Sequence, residues 1–349
     1  MVVGSRTDRR VRCTTTVLMV AVAALVAASC TVPPSKGTLP VGTPGADGPC
    51  GVSRQDLWNP VDLRHADVLF EPTGSASPWT GGTCGDDSRP VILIAHGYLG
   101  TFPEGYQGLI DHLVGNGFVV VFPGWPVEYD QPHQYEVVDT GFDLAVAASG
   151  RVDTTRVGVV GHSFGGGMTP WLVNRVDERG WGSKALWAVT FAPWFMFNVG
   201  TGAIDLPERT RLAVVNYDED VFVDARIGID MYRSADLPDE QKTHVMVRTD
   251  WSVDQPMVAD HIGPVSLEIL PFLGALSTDH LDRWSAWRTI DSTARCTFDG
   301  QWCDTDLADL GTWPDGRPVE RAVVSTDPFD VGPPALQECE FFLNPRPCN

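Results

Sequence analysis

The sequence predicts an α/β protein built on a mainly parallel sheet with helices on both faces. Two observations carry that reading. Strand-length apolar runs alternate with helix-length amphipathic stretches over most of the chain, the pattern of strands joined by helical crossovers. No segment recurs with a period of about 20 to 50 residues, which sets a solenoid or propeller aside.

The elements follow in order. PVILIAHG (Pro90–Gly97) reads as a buried strand. EGYQGLIDHLVGNG places Tyr106, Leu109, Ile110, Leu113 and Val114 on one helical face, and FVVVFPG (Phe118–Gly124) is a strand again. YEVVDTGFDLAVAA is the next helix, RVGVVG the next strand, and GGGMTPWLVNRV the helix after it. ALWAVTFA, RLAVVN and HVMVR supply three more strands, and the Trp-rich helix TDHLDRWSAWRTIDS (Thr278–Ser292) closes the fold. Beyond Cys296 the chain is rich in Pro, Gly and Asp and reads as a disulfide-pinned extension packed on the domain.

The chain has 349 residues, 43% of them hydrophobic, enough for a substantial core. Twenty-five Lys and Arg stand against 45 Asp and Glu, a formal charge of −20. Such a chain repels nucleic-acid phosphates, and nucleic acid is excluded as a partner.

Arg6, Arg9, Arg10 and Arg12 precede the apolar run VLMVAVAALVAA (Val17–Ala28). That run is shorter than the roughly 20 residues that span a bilayer, so residues 1–29 read as a signal peptide. Its end, Ala27-Ala28-Ser29-Cys30, resembles the bacterial lipobox, whose cysteine is lipidated. Cysteine parity agrees: with Cys13 removed and Cys30 lipidated, six of the eight remain, an even number. The expectation is a secreted chain tethered by lipid at Cys30, with no other membrane contact. Residues 30–49, with five Pro and four Gly between Thr31 and Pro49, read as a tether. Residues 50–295 form the domain and 296–349 the extension. Short loops favour the pairings Cys296 with Cys303 and Cys339 with Cys348, leaving Cys50 with Cys84.

Between the strand RVGVVG and the following helix lies Gly161-His162-Ser163-Phe164-Gly165. This is the G-x-S-x-G nucleophile elbow, a sharp strand-to-helix turn that presents a serine above the end of a sheet. Side chains at either glycine would meet the neighbouring strand and helix, and the serine is expected in strained backbone. An elbow needs an oxyanion hole, made by the amide after the nucleophile and an amide on the loop after an earlier strand. His96-Gly97-Tyr98-Leu99-Gly100 supplies that loop, so the candidate donors are the amides of Tyr98 or Leu99 and of Phe164.

With these pieces the chain resembles the α/β-hydrolase superfamily, in the branch of dienelactone hydrolases, platelet-activating-factor acetylhydrolases and cutinase-like polyester hydrolases. The matching residues are Gly97-Tyr98-Leu99-Gly100-Thr101, NGFVVV, GHSFGGG and Ala192-Pro193-Trp194. The resemblance covers roughly Pro90 to Asp291. His96 replaces a proline common in the polyester hydrolases, and Phe164 stands where they usually have methionine.

The triad partners should follow as acid, then histidine, beyond the ends of later strands. Asp220, in YDEDVFV after RLAVVN, is selected because the resembled enzymes place the acid two or three residues before an apolar pair; Asp218 is the alternative. His261, in the loop after HVMVR, lies on the same side and resembles the family's base; His280 is the alternative. The resemblance implies hydrolysis of a small or polymeric carboxylic ester through an acyl-enzyme, without metal or other cofactor. Tyr98, Trp125, Phe164, Trp194 and Phe195 fall in loops expected at the site mouth, where they would line an apolar or aromatic ester site. A lipase or phospholipid acyl hydrolase is a second enzyme reading. A catalytically silent hydrolase fold used as a cell-surface binding protein is the reading outside enzymes.

Overall fold

The apolar runs pair into one nine-stranded mixed sheet in a computed structural model that describes residues 37–74, 84–85, 87–128, 130–251, 256–266, 277–328 and 338–348. The expected signal peptide and the expected lipidation site, Cys30, lie outside the described residues. In chain order the strands are β1 (Gly51–Trp58), β2 (Ala66–Thr73), β3 (Arg89–Ala95), β4 (Val119–Phe122), β5 (Val152–His162), β6 (Ala185–Phe191), β7 (Thr210–Tyr217), β8 (Lys242–Val247) and β9 (Val323–Ser325). They lie side by side as β1-β2-β4-β3-β5-β6-β7-β8-β9. From β4 to β8 every pairing is parallel, while β1, β2 and β9 run antiparallel to their neighbours.

The helices are α1 (Gln107–Gly115), α2 (Gln131–Ala148), α3 (Ser163–Glu178), α4 (Ala225–Ser234) and α5 (Arg288–Asp299). They cover both faces, which is why the parallel strands are apolar on both sides. In β3, Ile92 and Ile94 join Leu109 and Leu113 of α1 and Ile290 of α5 in one core. Val91 and Leu93 point the other way, into a core with Phe142 of α2, Leu172 of α3 and Ile227 of α4.

Every strand and helix expected between Pro90 and Val247 is present, and the structure adds four elements. β1 and β2 form an antiparallel hairpin on one edge, α4 follows β7, and β9 extends the sheet beyond β8. The extension after Cys296 therefore contributes a strand as well as packing. The expected domain boundary at 295/296 falls inside α5, which runs to Asp299 after a π-helical turn at Asp282–Trp287.

The second half of the expected tether is also corrected. Residues 37–49 lie against the domain: the Trp284 indole donates to Gly37 O at 2.9 Å, Asn116 Nδ2 to Ala46 O at 3.0 Å, and the Gly45 amide to Asp291 Oδ2 at 2.7 Å. This strap is fixed by backbone hydrogen bonds and close glycine packing, whereas a composition argument counts only apolar side chains. Gly45, at φ +88°, sits where a Cβ would come within 2.3 Å of the Arg283 carbonyl oxygen.

The three expected disulfides, Cys50–Cys84, Cys296–Cys303 and Cys339–Cys348, are all formed, as fits an oxidising compartment. Among the described residues no helix is long and apolar enough to cross a membrane.

One buried carboxyl in β2 makes stability depend on pH. Asp67 accepts the Gly124 amide at 3.2 Å, and burial pushes its pKa up to about 7. A folded-state pKa above the unfolded value means that the folded state holds the proton more tightly. Stability from this group is complete below about pH 4 and is lost as pH rises towards 7. Asp67→Asn keeps the acceptor and removes the titration. Its melting temperature is expected to exceed that of the wild type by several degrees at pH 8 and to match it at pH 4; equal curves at both pH values would reject the assignment.

Candidate active site

The carboxyl ends of β3, β5, β7 and β8 point to the same side of the sheet, and the loops beyond them meet there. At the end of β5 the chain turns sharply into α3 at Ser163, whose φ of +54° is a left-handed conformation that a non-glycine residue adopts at a cost. The flanking glycines explain how the turn fits. A Cβ on Gly161 would come within 2.2 Å of Thr169 Oγ1 and 2.5 Å of the Gly165 carbonyl oxygen. A Cβ on Gly165 would lie 2.0 Å from the Ala95 carbonyl oxygen, and those on Gly166 and Gly167 would strike the backbone of Pro193 and Phe195. The helix is thereby pressed against β3 and the segment after β6.

Ser163, His261 and Asp220 form one hydrogen-bonded row. Ser163 Oγ lies 2.9 Å from His261 Nε2, and His261 Nδ1 lies 2.8 Å from Asp220 Oδ2. The other oxygen of Asp220 accepts the amides of Phe222 at 2.8 Å and Val223 at 2.9 Å. A carboxylate can only accept, so His261 carries its proton on Nδ1 and turns the Nε2 lone pair to the serine. The Ser163 hydroxyl donates to it.

The alternatives fall elsewhere. Asp218 accepts the Thr249 amide at 2.9 Å, and His280 is buried with its Nε2 donating to Leu310 O at 2.6 Å.

The loop after β3 is tied to the elbow, since His96 O accepts the Gly165 amide at 3.1 Å. His96 itself is fully buried, donates from Nδ1 to Gly97 O at 2.7 Å, and stacks on Trp125 with ring centroids 3.3 Å apart. Burial lowers its pKa to about 3, so it is neutral. Gly100 N bonds Gly97 O at 2.8 Å, closing a tight turn around Tyr98 and Leu99. Phe164 N is in the first helical turn, where amides lack intrahelical partners. It and the amides of Tyr98 and Leu99, on the loop after β3, are the expected donors, and all three residues line the pocket that holds Ser163.

These groups open onto a pocket of about 780 Å³. Tyr98, Leu99, Phe164 and Trp194 line it as expected. Trp125 and Phe195 do not: both are fully buried in the core, Trp125 beneath His96 and Phe195 stacked on Trp194 at 4.2 Å. An aromatic residue just past a strand can turn towards either the mouth or the core, and these two turn inward. The remaining apolar wall comes from Phe102, Phe222, Val223, Ile262 and Val265. Phe222 and Val223 are the apolar pair after Asp220, so one short segment both braces the carboxylate and lines the pocket. Among the described residues, Asp62, Glu128 and His133 could together hold a metal, but Arg64 already pairs with both carboxylates.

No protein-family model and no curated protein matches the chain.

Proposed function

We propose that the chain is a serine hydrolase of the α/β-hydrolase superfamily that cleaves carboxylic esters with an apolar or aromatic part. The observation that carries this reading is the row Ser163–His261–Asp220 set on a strained elbow at the floor of an apolar pocket. Nothing about folding alone calls for a positive φ at a serine whose hydroxyl faces a carboxylate-oriented imidazole.

In this mechanism Ser163 Oγ attacks the ester carbonyl carbon as its proton passes to His261 Nε2. Asp220 holds the ring and stabilises the imidazolium. The amide of Phe164 and that of Tyr98 or Leu99 receive the oxyanion, a contribution worth about 10² to 10³ in turnover for each donor. The imidazolium protonates the departing alcohol oxygen, leaving the acyl group on Ser163. Water then gives a proton to His261 and attacks the acyl carbon, and Oγ leaves with that proton, releasing the acid.

A lipase or phospholipid acyl hydrolase is the second reading, favoured by Leu99 and Phe102, which are 59% and 63% exposed beside the pocket. Export of the chain accompanies either reading and is supported by the disulfides, which fit an oxidising compartment; a lipid tether on Cys30 rests on the sequence pattern.

Hydrolysis of p-nitrophenyl esters of increasing acyl length tests the proposal, together with peptide mapping after fluorophosphonate treatment. The expected outcome is turnover with a chain-length optimum and a label on Ser163. A folded protein that neither hydrolyses any ester nor takes up the label would leave the silent binding fold as the better account.

A further inference from the structure

Beside the Ser163 row, and in the wall of the same pocket, runs a second series of hydrogen bonds that the proposed mechanism leaves unused. The Gly97 amide lies 2.9 Å from the Tyr106 hydroxyl, that hydroxyl 2.7 Å from His162 Nδ1, and His162 Nε2 2.8 Å from the His261 carbonyl oxygen. Tyr106 and His162 are both buried.

Donor and acceptor chemistry fixes every proton along it. The His261 carbonyl can only accept, so His162 carries its proton on Nε2. Burial holds the His162 ring well below the ordinary histidine range, so it is neutral and Nδ1 is an acceptor. Tyr106 therefore donates to Nδ1, and its oxygen accepts from Gly97. Reversing any one member would set two donors or two acceptors face to face in a buried site.

The ends of the series are the two parts of the site that must keep a fixed spacing. Gly97 opens the loop that carries the Tyr98 and Leu99 amides, and His261 is the proposed base. His162, in the middle, is the residue before Ser163. The fit has little slack, because a Cβ on Gly97 would come within 3.1 Å of His162 Nδ1. Ser266 separately fastens the far end of the base loop, its amide donating to Gly105 O and its hydroxyl accepting the Gly108 amide, each at 2.8 Å. The Tyr106–His162 series fastens His261 itself.

We propose that Tyr106 and His162 are positioning residues that lock the oxyanion loop to the loop bearing His261. The proposal rests on the ester-hydrolase reading, and the test separates the two. It compares p-nitrophenyl butyrate hydrolysis, thermal melting and imidazole ¹⁵N spectra of the wild type, Tyr106→Phe, His162→Gln, His162→Phe and the double Phe variant.

Tyr106→Phe conserves shape and is expected to stay folded, with kcat about 10 to 100-fold lower and KM little changed, as for a small misplacement of reacting groups. His162→Gln, which keeps both a donor and an acceptor, is expected to retain most of kcat. The double Phe variant is expected to be no slower than His162→Phe, because the two side chains act as one unit. In the ¹⁵N spectrum wild-type His162 should be protonated at Nε2 alone, and Tyr106→Phe should show a changed tautomer balance.

Wild-type kcat in Tyr106→Phe, with unchanged His162 signals, would overturn the lock. A wild type inert towards esters overturns the hydrolase reading, and the lock then stands or falls on the ¹⁵N spectrum.

Discussion

Replacing Ser163 by alanine is expected to lower kcat for p-nitrophenyl butyrate by about 10⁶-fold, and Asp220 by asparagine by about 10⁴-fold, with little change in melting temperature. Ser163→Ala removes the proposed nucleophile and keeps the Cβ, so the backbone cost of a residue held at φ +54° is unchanged and the fold is expected to hold. Asp220→Asn acts through the tautomer of His261. The native carboxylate accepts from Nδ1 at 2.8 Å and leaves Nε2 free to take the serine proton. An asparagine can turn its NH₂ to Nδ1, which moves the ring proton to Nε2 and sets a donor against Oγ. Removing His261 from the Ser163→Ala protein should cost little more, because the row acts as a unit. An Asp220→Asn protein with wild-type turnover would return the acid role to Asp218 or remove it altogether.

The second large effect concerns stability. Arg346, near the C-terminus, is buried with its Nε 2.5 Å from Asp230 Oδ2 on α4, and its Nη1 donates to Gly200 O at 3.1 Å. Arg346→Ala leaves a buried carboxylate without its guanidinium and is expected to cost about 3 to 5 kcal/mol. Urea unfolding measures it directly. Replacing the pair by Met at 346 and Leu at 230 should recover most of the loss, because an apolar pair has no desolvation penalty. An Arg346→Ala midpoint equal to that of the wild type would mean that the Arg226–Glu340 ion pair, the Cys339 amide on Asp224 and the packing of Phe341 and Leu343 suffice to hold the terminal segment.

The parallel strands were legible because each is buried on both faces and therefore apolar throughout, as in VVVF and ALWAVTF. The elbow was legible because its glycines answer to backbone contacts that no other residue permits. Chain order and strand ends then led to the loops of Asp220 and His261, the resemblance chose Asp220 over Asp218, and the structure brings Ser163, Asp220 and His261 together. β1 escaped because GVSRQDLW is exposed along nearly all its length and shows no apolar stripe. β9 escaped because three residues are too few for a pattern. His162 was legible only as the variable position of a motif. Its partners, Tyr106 and the His261 carbonyl, lie 56 and 99 residues away, and no local signal joins them.

The short β9 has a consequence for how the molecule avoids its own kind. Without it, β8 would present an apolar, unpaired ladder to solvent directly beside the loop that bears His261. Such an edge is a template for another chain to add to. Three residues suffice to occupy it and are too few to offer a new edge of any length. At the opposite margin, β1 guards the sheet with Arg54 and Asp56 in place of apolar side chains. The tail that follows the last helix thus acts as a stopper against strand-by-strand self-association, and its loss would be felt first as aggregation.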